Sequence, residues 1–557
     1  MENDMKENPT FWQNRPYCSY RQAEDEQLQV WCRGLLTRDG GGSELLVLGR
    51  EAWEGRLDYN CLHGGFCVVV YHRTEKGYLF FGDNAGSQYL FFDAAAGEFS
   101  DSFLALCRRR RSLQPDLSGL ASMLDFEQTL GEGTAVLGIG KTQQDSFYRL
   151  GEGGTLRAFS KELRRFSDMP RDLSLDDCFA PLLRAAEGEK SCAICTGGTD
   201  SRAVLSALAR HDAVPELLLT AHPGNPDILP AKAVAGALGK ELRLVDFEPN
   251  ESGWIEKGFC FLDGAYDAVL SYRHLKKARY VRTLGCSVEY GGVGGELYKN
   301  SYCNFVRNWR ARSRRERLEA LLEDGAAIRA SSLYAEELRR AEEDNEPELR
   351  ALIESAERED GLLTACNRLG YSLLCIGSGA ITNGYAAVCC KIDPLMDRSL
   401  AASASQESLF SHRMHRWQRR QIAQLAPQLA ELPTDQGYSC SLKRAKLIEE
   451  QIKKLGFFAD RALARFRRAL GMSWSSREQR YWDEDYLAAR RDPLWQECIR
   501  VCRQRGILAP DADGEAIPLA MTGKILQLGL LFSPSFNELY DRWAFSFLEE
   551  EAADNKR

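Results

Sequence analysis

The sequence predicts an α/β protein of two unlike parts, a β-rich first region and a second region built on a parallel sheet and extended by helices. Three observations carry this. From about residue 28 to 160, short β-branched and aromatic runs are separated by Gly, Asp and Asn turns. From about 170, strand patterns alternate with helical ones. After about 300 the texture is almost wholly helical and highly charged. A chain of 557 residues has room for about three to four compact units, and its 44% hydrophobic and 27% charged residues lie at the globular average, away from disordered, collagenous and coiled-coil classes.

In order, LQVWCRGLL, ELLVLG, GGFCVVVYHR, GYLFFGD, QYLFFDAAAGEFS and TAVLGIG are predicted strands. LSLDDCFAPLLRAAEGE is a predicted helix, SCAIC a buried strand, DSRAVLSALARH a helix, ELLLTAH a strand, ILPAKAVAGALGK a helix and ELRLVDF a strand. That alternation requires parallel strands with helical crossovers. The change of periodicity divides the chain near residue 165, into 1–165 and 166–557. The charged runs beyond 300 read as solvated helix faces, including the Arg307, Arg310, Arg312, Arg314 and Arg315 cluster, whose sharper alternative is a dock for an acidic leader or a phosphorylated substrate.

Seventy-two Lys and Arg against 80 Asp and Glu leave a net charge of −8, which supplies no general attraction to nucleic acid or anionic lipid. MENDMKENPTFWQNRPY lacks the apolar segment of a secretory signal, and no window reaches about 18 uninterrupted apolar residues. The expected location is therefore cytoplasmic, with neither nucleic acid nor membrane as partner. The 18 cysteines are scattered through apolar segments and are expected to be reduced, buried thiols. Cys192/Cys195 and Cys498/Cys502 lack the second pair or His partner that a zinc site needs.

The stretch that carries chemistry is Cys192-Ala-Ile-Cys195-Thr196-Gly197-Gly198-Thr199-Asp200-Ser201-Arg202. A buried strand passes through a Gly-Gly turn into a helix, which predicts an anion cradle. The glycines admit close backbone approach and otherwise strained angles, and free N–H groups at the helix start converge on one place. Thr196 and Ser201 add hydroxyl donors. Asp200, repelled by a bare anion, makes sense there as a ligand of Mg²⁺ shared with phosphates. The plainer reading is an N-cap after a glycine turn.

This segment resembles the pyrophosphate-binding loop Ser-Gly-Gly-x-Asp-Ser of the asparagine synthetase superfamily, with Thr196 in the first place. HPGNPDILPAKAVAGALGKELRLVDF is similar to that family's helix between the second and third strands. GCSVEYGGVGGELYKNSY resembles its Ser-Gly-Asp-Gly-x-Asp-Glu-Leu strand end, and IDPLMDRSLA its Pro-Phe-Leu-Asp segment. LHGGFCVVVYHRTEKGYLFFGDNAGSQYLFFDAAAGEFSDSFLAL resembles a class II glutamine amidotransferase, with Asp83 and Gly86 at its Arg-Asp-x-x-Gly turn. The resemblance implies an αββα amidotransferase-like sandwich over 1–165 and an adenine nucleotide hydrolase-like parallel domain with a helical extension over 166–557. It implies an AMP-forming carboxylate–amine ligase that uses ATP and Mg²⁺, with Thr196, Gly197, Gly198, Thr199, Asp200 and Ser201 around the ATP pyrophosphate.

The chain departs from the family in ways that narrow the function. The family's glutaminase nucleophile is an N-terminal Cys, whereas here Met1 precedes Glu2, and Cys18 lacks the Cys-Gly-Ile start. The first region is thus expected to be inactive towards glutamine, and the amine to be a preformed group on a small-molecule or peptide substrate, as in macrolactam, natural-product or surface-sugar amide formation. Gly295-Glu296 occupies the place of the family's Asp-Glu, leaving Asp200 and Glu296 as the implied metal ligands. Gly292 and Cys390 occupy the places of the base pair used by β-lactam-forming members. The catalytic lysine that neutralises charge on pyrophosphate or the intermediate is expected at Lys443 or Lys446, in that order. A homodimer or biosynthetic partner proteins remain open. The alternative is a catalytically silent scaffold or regulator of the same fold. A tRNA-modifying pyrophosphatase needs a basic RNA surface and a catalytic cysteine arrangement, which the acidic balance and the scattered thiols do not suggest.

Overall fold

The structure, a computed structural model, describes residues 11, 12, 20–39, 44–126, 129, 131–246, 248, 249, 251–299, 331–344, 358, 362–408, 411, 412, 414–448 and 477–548. The chain is mixed α/β, with a sheet-rich N-terminal region and a parallel sheet flanked by helices after it. In the N-terminal region a six-stranded antiparallel sheet runs in the order Leu156–Ser160, Ser146–Leu150, Gly77–Gly82, Phe66–His72, Leu28–Gly34, Tyr20–Glu24. A four-stranded sheet joins Phe11–Trp12, Glu98–Ser100, Phe91–Asp93 and Ile139–Lys141.

Residue alternation divides the cores. Phe66, Val68 and Val70 face one side of the larger sheet while Cys67 and Val69 face the other. The second side meets the smaller sheet, where Phe80 stacks on Phe99 at 4.2 Å between ring centroids. The first side is covered by the helix Leu45–Trp53. Here the sequence expectation fails, because ELLVLG was a predicted strand. Leu48 and Ala52, four residues apart, share the buried stripe of a helix, and Gly49 lies so close that a Cβ there would sit 2.4 Å from Val30 Cγ2. The strongly β-forming run yields to the helix-forming residues that follow it, Arg50-Glu51-Ala52. The turn at Asp83 is built as a cradle. Its buried carboxylate accepts from Ala85 N, Ser87 N, Ser87 Oγ and Gln88 N, and Gly86 supplies a φ of +71°.

The second sheet is wholly parallel, in the order Leu242–Val245, Glu216–Thr220, Ser191–Ile194, Val288–Tyr290, Cys390–Ile392. The last strand interrupts the region expected to be helical. Both faces are covered, which accounts for the near-continuous apolar character of SCAI and ELLL. Helices Thr199–Arg210 and Ile228–Ala237 share one core with Ala193, Cys195 and Leu217, while Trp254–Phe261 and Ala268–Thr283 share the other with Cys192 and Leu218. Cys192 and Cys195 therefore lie on opposite faces. The fifteen cysteines whose side chains are described are free thiols, buried except at Cys61 and Cys390.

The two regions are tied by buried polar contacts. Arg33 Nη2 donates to Asn383 Oδ1 at 2.6 Å, and Asp263 accepts from Phe103 N (2.6 Å), Leu104 N (3.2 Å) and Ser102 Oγ (2.8 Å), capping the helix Phe103–Arg109. That helix also packs on Phe536–Trp543, within one continuous core. No helix among the described residues is long and apolar enough to cross a membrane.

Candidate functional site

In chain order the parallel strands occupy places 3-2-1-4-5, so consecutive connections leave the first strand in opposite directions. The loop after Ser191–Ile194 and the loop after Val288–Tyr290 meet at that divergence, the place where open parallel sheets bind their ligands. Close approach decides the residue types. A Cβ on Gly292 would lie 2.7 Å from Ser201 N, and one on Gly295 would lie 2.0 Å from Asp200 Cγ. Gly294 takes a φ of +99°.

Within the first loop, Thr196 and Ser201 brace each other. Their hydroxyl oxygens are 2.8 Å apart, Thr196 N donates to Ser201 Oγ at 3.1 Å, and Gly198 N donates to Thr196 Oγ1 at 3.3 Å. The two hydroxyls share one hydrogen, and the second has only Thr196 O at 3.5 Å as an acceptor within the loop. Gly198 is the N-cap of Thr199–Arg210, with no side-chain cap on the first amides. The expectation of strained glycine angles is corrected: neither Gly197 nor Gly198 has positive φ, and Gly198 sits at φ −78°. Space is the reason for Gly197, whose Cβ would fall 2.9 Å from Asp227 Oδ1, 3.0 Å from Pro230 Cβ and 3.2 Å from Asp435 Cβ. At Gly198 the nearest atom to such a Cβ is Thr196 Oγ1 at 3.5 Å, so this side of the loop is open.

Asp200 is held by donors at both oxygens. Lys299 Nζ lies 2.6 Å from Oδ2, and Gln418 Nε2 lies 2.5 Å from Oδ1 and 3.3 Å from Gly295 O. Glu296 is the neighbouring acid, and burial, reinforced by the Asp200 charge against the opposing pull of Lys299, raises its pKa above the ordinary carboxylate value. This arrangement does not fit Mg²⁺. The ion needs anionic or neutral oxygen donors in an octahedron, yet Asp200 carries the Lys299 ammonium at contact distance, and Gly295 approaches it too closely for a further side-chain ligand at that position. No group of three or more His, Cys, Asp or Glu side chains suited to a metal occurs among the described residues.

Arg202 fixes the loop to the C-terminal half. Fully buried, it donates through Nη1 to Leu432 O (2.7 Å) and Leu429 O (3.2 Å) and through Nη2 to Pro433 O (2.8 Å) and Gly197 O (3.3 Å). Asp435 N adds a bond to Gly197 O at 3.2 Å. The segment that follows carries the expected lysines. Lys443 pairs with Glu431 at 2.9 Å and is 73% exposed, and the charge of Lys446 also bears on Glu431. The cation at the loop is Lys299, and neither lysine is the partner of Asp200. The arginines at 307, 310, 312, 314 and 315, and Cys18, lie outside the described residues.

Neither Lys299 nor Gln418 was marked by the sequence. Lys299 closes the stretch GGVGGELYK, where its spacing from Gly295 by one turn was the available signal. Gln418 sits in Arg416–Leu425, distant in sequence, and carried no signal. No protein-family model and no curated protein matches this chain.

Elsewhere, the half-buried His63 and the buried Lys141 depart from their ordinary pKa values. Burial disfavours the charged form of His63, but Asp397 and Asp39, each 3.1 Å from a ring nitrogen, outweigh it and raise the pKa from 6.5 to about 9. Lys141, donating to Thr129 O and Oγ1 at 2.8 and 2.7 Å, is lowered by burial from 10.5 to about 7.

Proposed function

We propose that the chain is an ATP-dependent, AMP-forming carboxylate–amine ligase of the asparagine synthetase type, acting in the cytoplasm. In this reading residues 1–165 form an amidotransferase-like region without glutaminase chemistry, and 166–557 form the adenylating domain. The observation that carries it is the meeting of the Thr196–Ser201 loop with the glycine-rich Gly291–Gly295 turn at the divergence point of a parallel sheet. A substrate carboxylate oxygen attacks the α-phosphorus of ATP, the bond from that phosphorus to the bridging oxygen breaks, and pyrophosphate leaves. The Thr196/Ser201 hydroxyl pair and the uncapped amides at the start of Thr199–Arg210 stabilise the charge that develops on it. The amine of the substrate then attacks the acyl carbon and AMP departs. Holding both groups in one site makes this step effectively intramolecular.

A silent scaffold of the same fold is the second reading, favoured by the neutralisation of Asp200 by Lys299. Calorimetric titration of ATP into the protein and into Gly198→Asp separates the two. The substitution sets a carboxylate at the open side of the loop without a steric clash, and an N-cap Asp supports the helix. The ligase reading requires ATP binding that this variant loses while its melting temperature holds or rises. ATP heats absent from the folded parent protein, or equal in both proteins, would leave the scaffold.

A further inference from the structure

We propose that Lys299 is the built-in cation of the anion site, so that the loop binds pyrophosphate-like groups without a divalent metal. The inference rests on the ligase reading and concerns the same site. Its basis is the one-turn unit Gly295–Lys299. Gly295 brings this turn so close to Asp200 that no side chain fits, a carboxylate included, and the same turn delivers the Lys299 ammonium to Asp200 Oδ2 at 2.6 Å. Where a metal site would add a second acid, this chain removes one side chain and adds a positive charge.

The ammonium is equipped to bridge. It has three N–H donors, and Asp200 Oδ2 takes one, so two can turn towards oxygens of an anion seated on the loop. Lys299 retains 22% side-chain exposure, which leaves it open to such a ligand. Asp200 stays in place when Lys299 shares itself, because Gln418 and Thr199 Oγ1 hold its other oxygen, the latter at 3.3 Å. Gln418, fully buried, also leaves its Oε1 without a hydrogen bond in the described structure. An acceptor stranded beside Asp200 is costly to bury unused and suits a donor brought by a ligand, such as a ribose or water hydroxyl.

The test is calorimetric binding of inorganic pyrophosphate and of ATP to the full chain, once with excess Mg²⁺ and once with EDTA, repeated for Lys299→Met and Lys299→Arg. The inference expects affinities that agree within about twofold with and without metal, a loss of about tenfold or more in Lys299→Met, and partial recovery in Lys299→Arg, the size expected for one charge-assisted contact. Binding that appears only with Mg²⁺ overturns the lysine assignment and keeps the ligase reading. Metal-independent binding that Lys299→Met leaves unchanged overturns it as well. Failure of the folded protein to bind either ligand under both conditions overturns the ligase reading itself.

Discussion

Truncating Arg202 to alanine should detach the Leu429–Asp435 segment from the anion loop. The guanidinium is fully buried and has carbonyl partners on both sides: Gly197 on the loop, and Leu429, Leu432 and Pro433 on the segment. A hydrogen bond from a charged donor contributes about 1.5–3 kcal/mol net. The two short bonds, at 2.7 and 2.8 Å, therefore account for about 3–6 kcal/mol, and the two longer ones are neglected. Water entering the vacated space recovers part of this, so the expected loss for Arg202→Ala is about 3–5 kcal/mol. Arg202→Lys keeps the charge but not the planar fork and should fall between. The assay is urea unfolding paired with hydrogen exchange. The Asp435 amide, bonded to Gly197 O, should lose about a hundredfold in protection, which corresponds to roughly 3 kcal/mol of local stability. A variant whose unfolding free energy changes by less than about 0.5 kcal/mol, with Asp435 still protected, would refute the network's role.

Three further outcomes are expected. His63 has a folded pKa of about 9 against the usual 6.5, so the native state binds more protons between these values; its contribution is complete below 6.5 and is lost as pH rises through 9. Lys141 acts in the opposite sense, because its folded value of about 7 lies below the ordinary 10.5 and stability rises with pH across that window. Thermal melts from pH 6 to 10.5 on His63→Gln should lose the fall, and on Lys141→Met the rise; unaltered profiles would remove these groups from the pH response. Gly295→Ala should cost about 1–3 kcal/mol through overpacking against Asp200 and should weaken pyrophosphate binding together with the Lys299 contact. A fully stable Gly295→Ala with unchanged affinity would show that the close approach is dispensable.

The parallel sheet was legible because its strands are buried on both faces, so SCAI and ELLL read as apolar runs between amphipathic helices. The Thr196–Ser201 loop was legible because its parts are consecutive in the chain. What local pattern hid was every contact across it: the grip of Arg202 on Leu429–Pro433, the cation at Lys299 and the amide of Gln418 come from separate elements that meet only in three dimensions. Leu45–Trp53 misled for another reason. Its first residues favour a strand, and only the docking of Gly49 on Val30 shows why a helix wins. The glycine at 197 was found for the wrong cause, since crowding by Asp227, Pro230 and Asp435 is invisible in a dipeptide.

The helix Phe103–Arg109 emerges early in synthesis, yet its first amides are capped by Asp263 and its outer face is packed by Phe536–Trp543, more than four hundred residues later. At roughly 5–20 residues per second, the nascent chain must wait tens of seconds for that cover. Throughout that interval Phe103, whose ring meets Phe91, and its neighbours Leu104 and Leu106 have only part of the cover they have in the finished molecule. The burial of the first region is therefore completed only by residues made much later. Soluble yield should follow translation speed and holdase supply more closely than the stability of the completed fold.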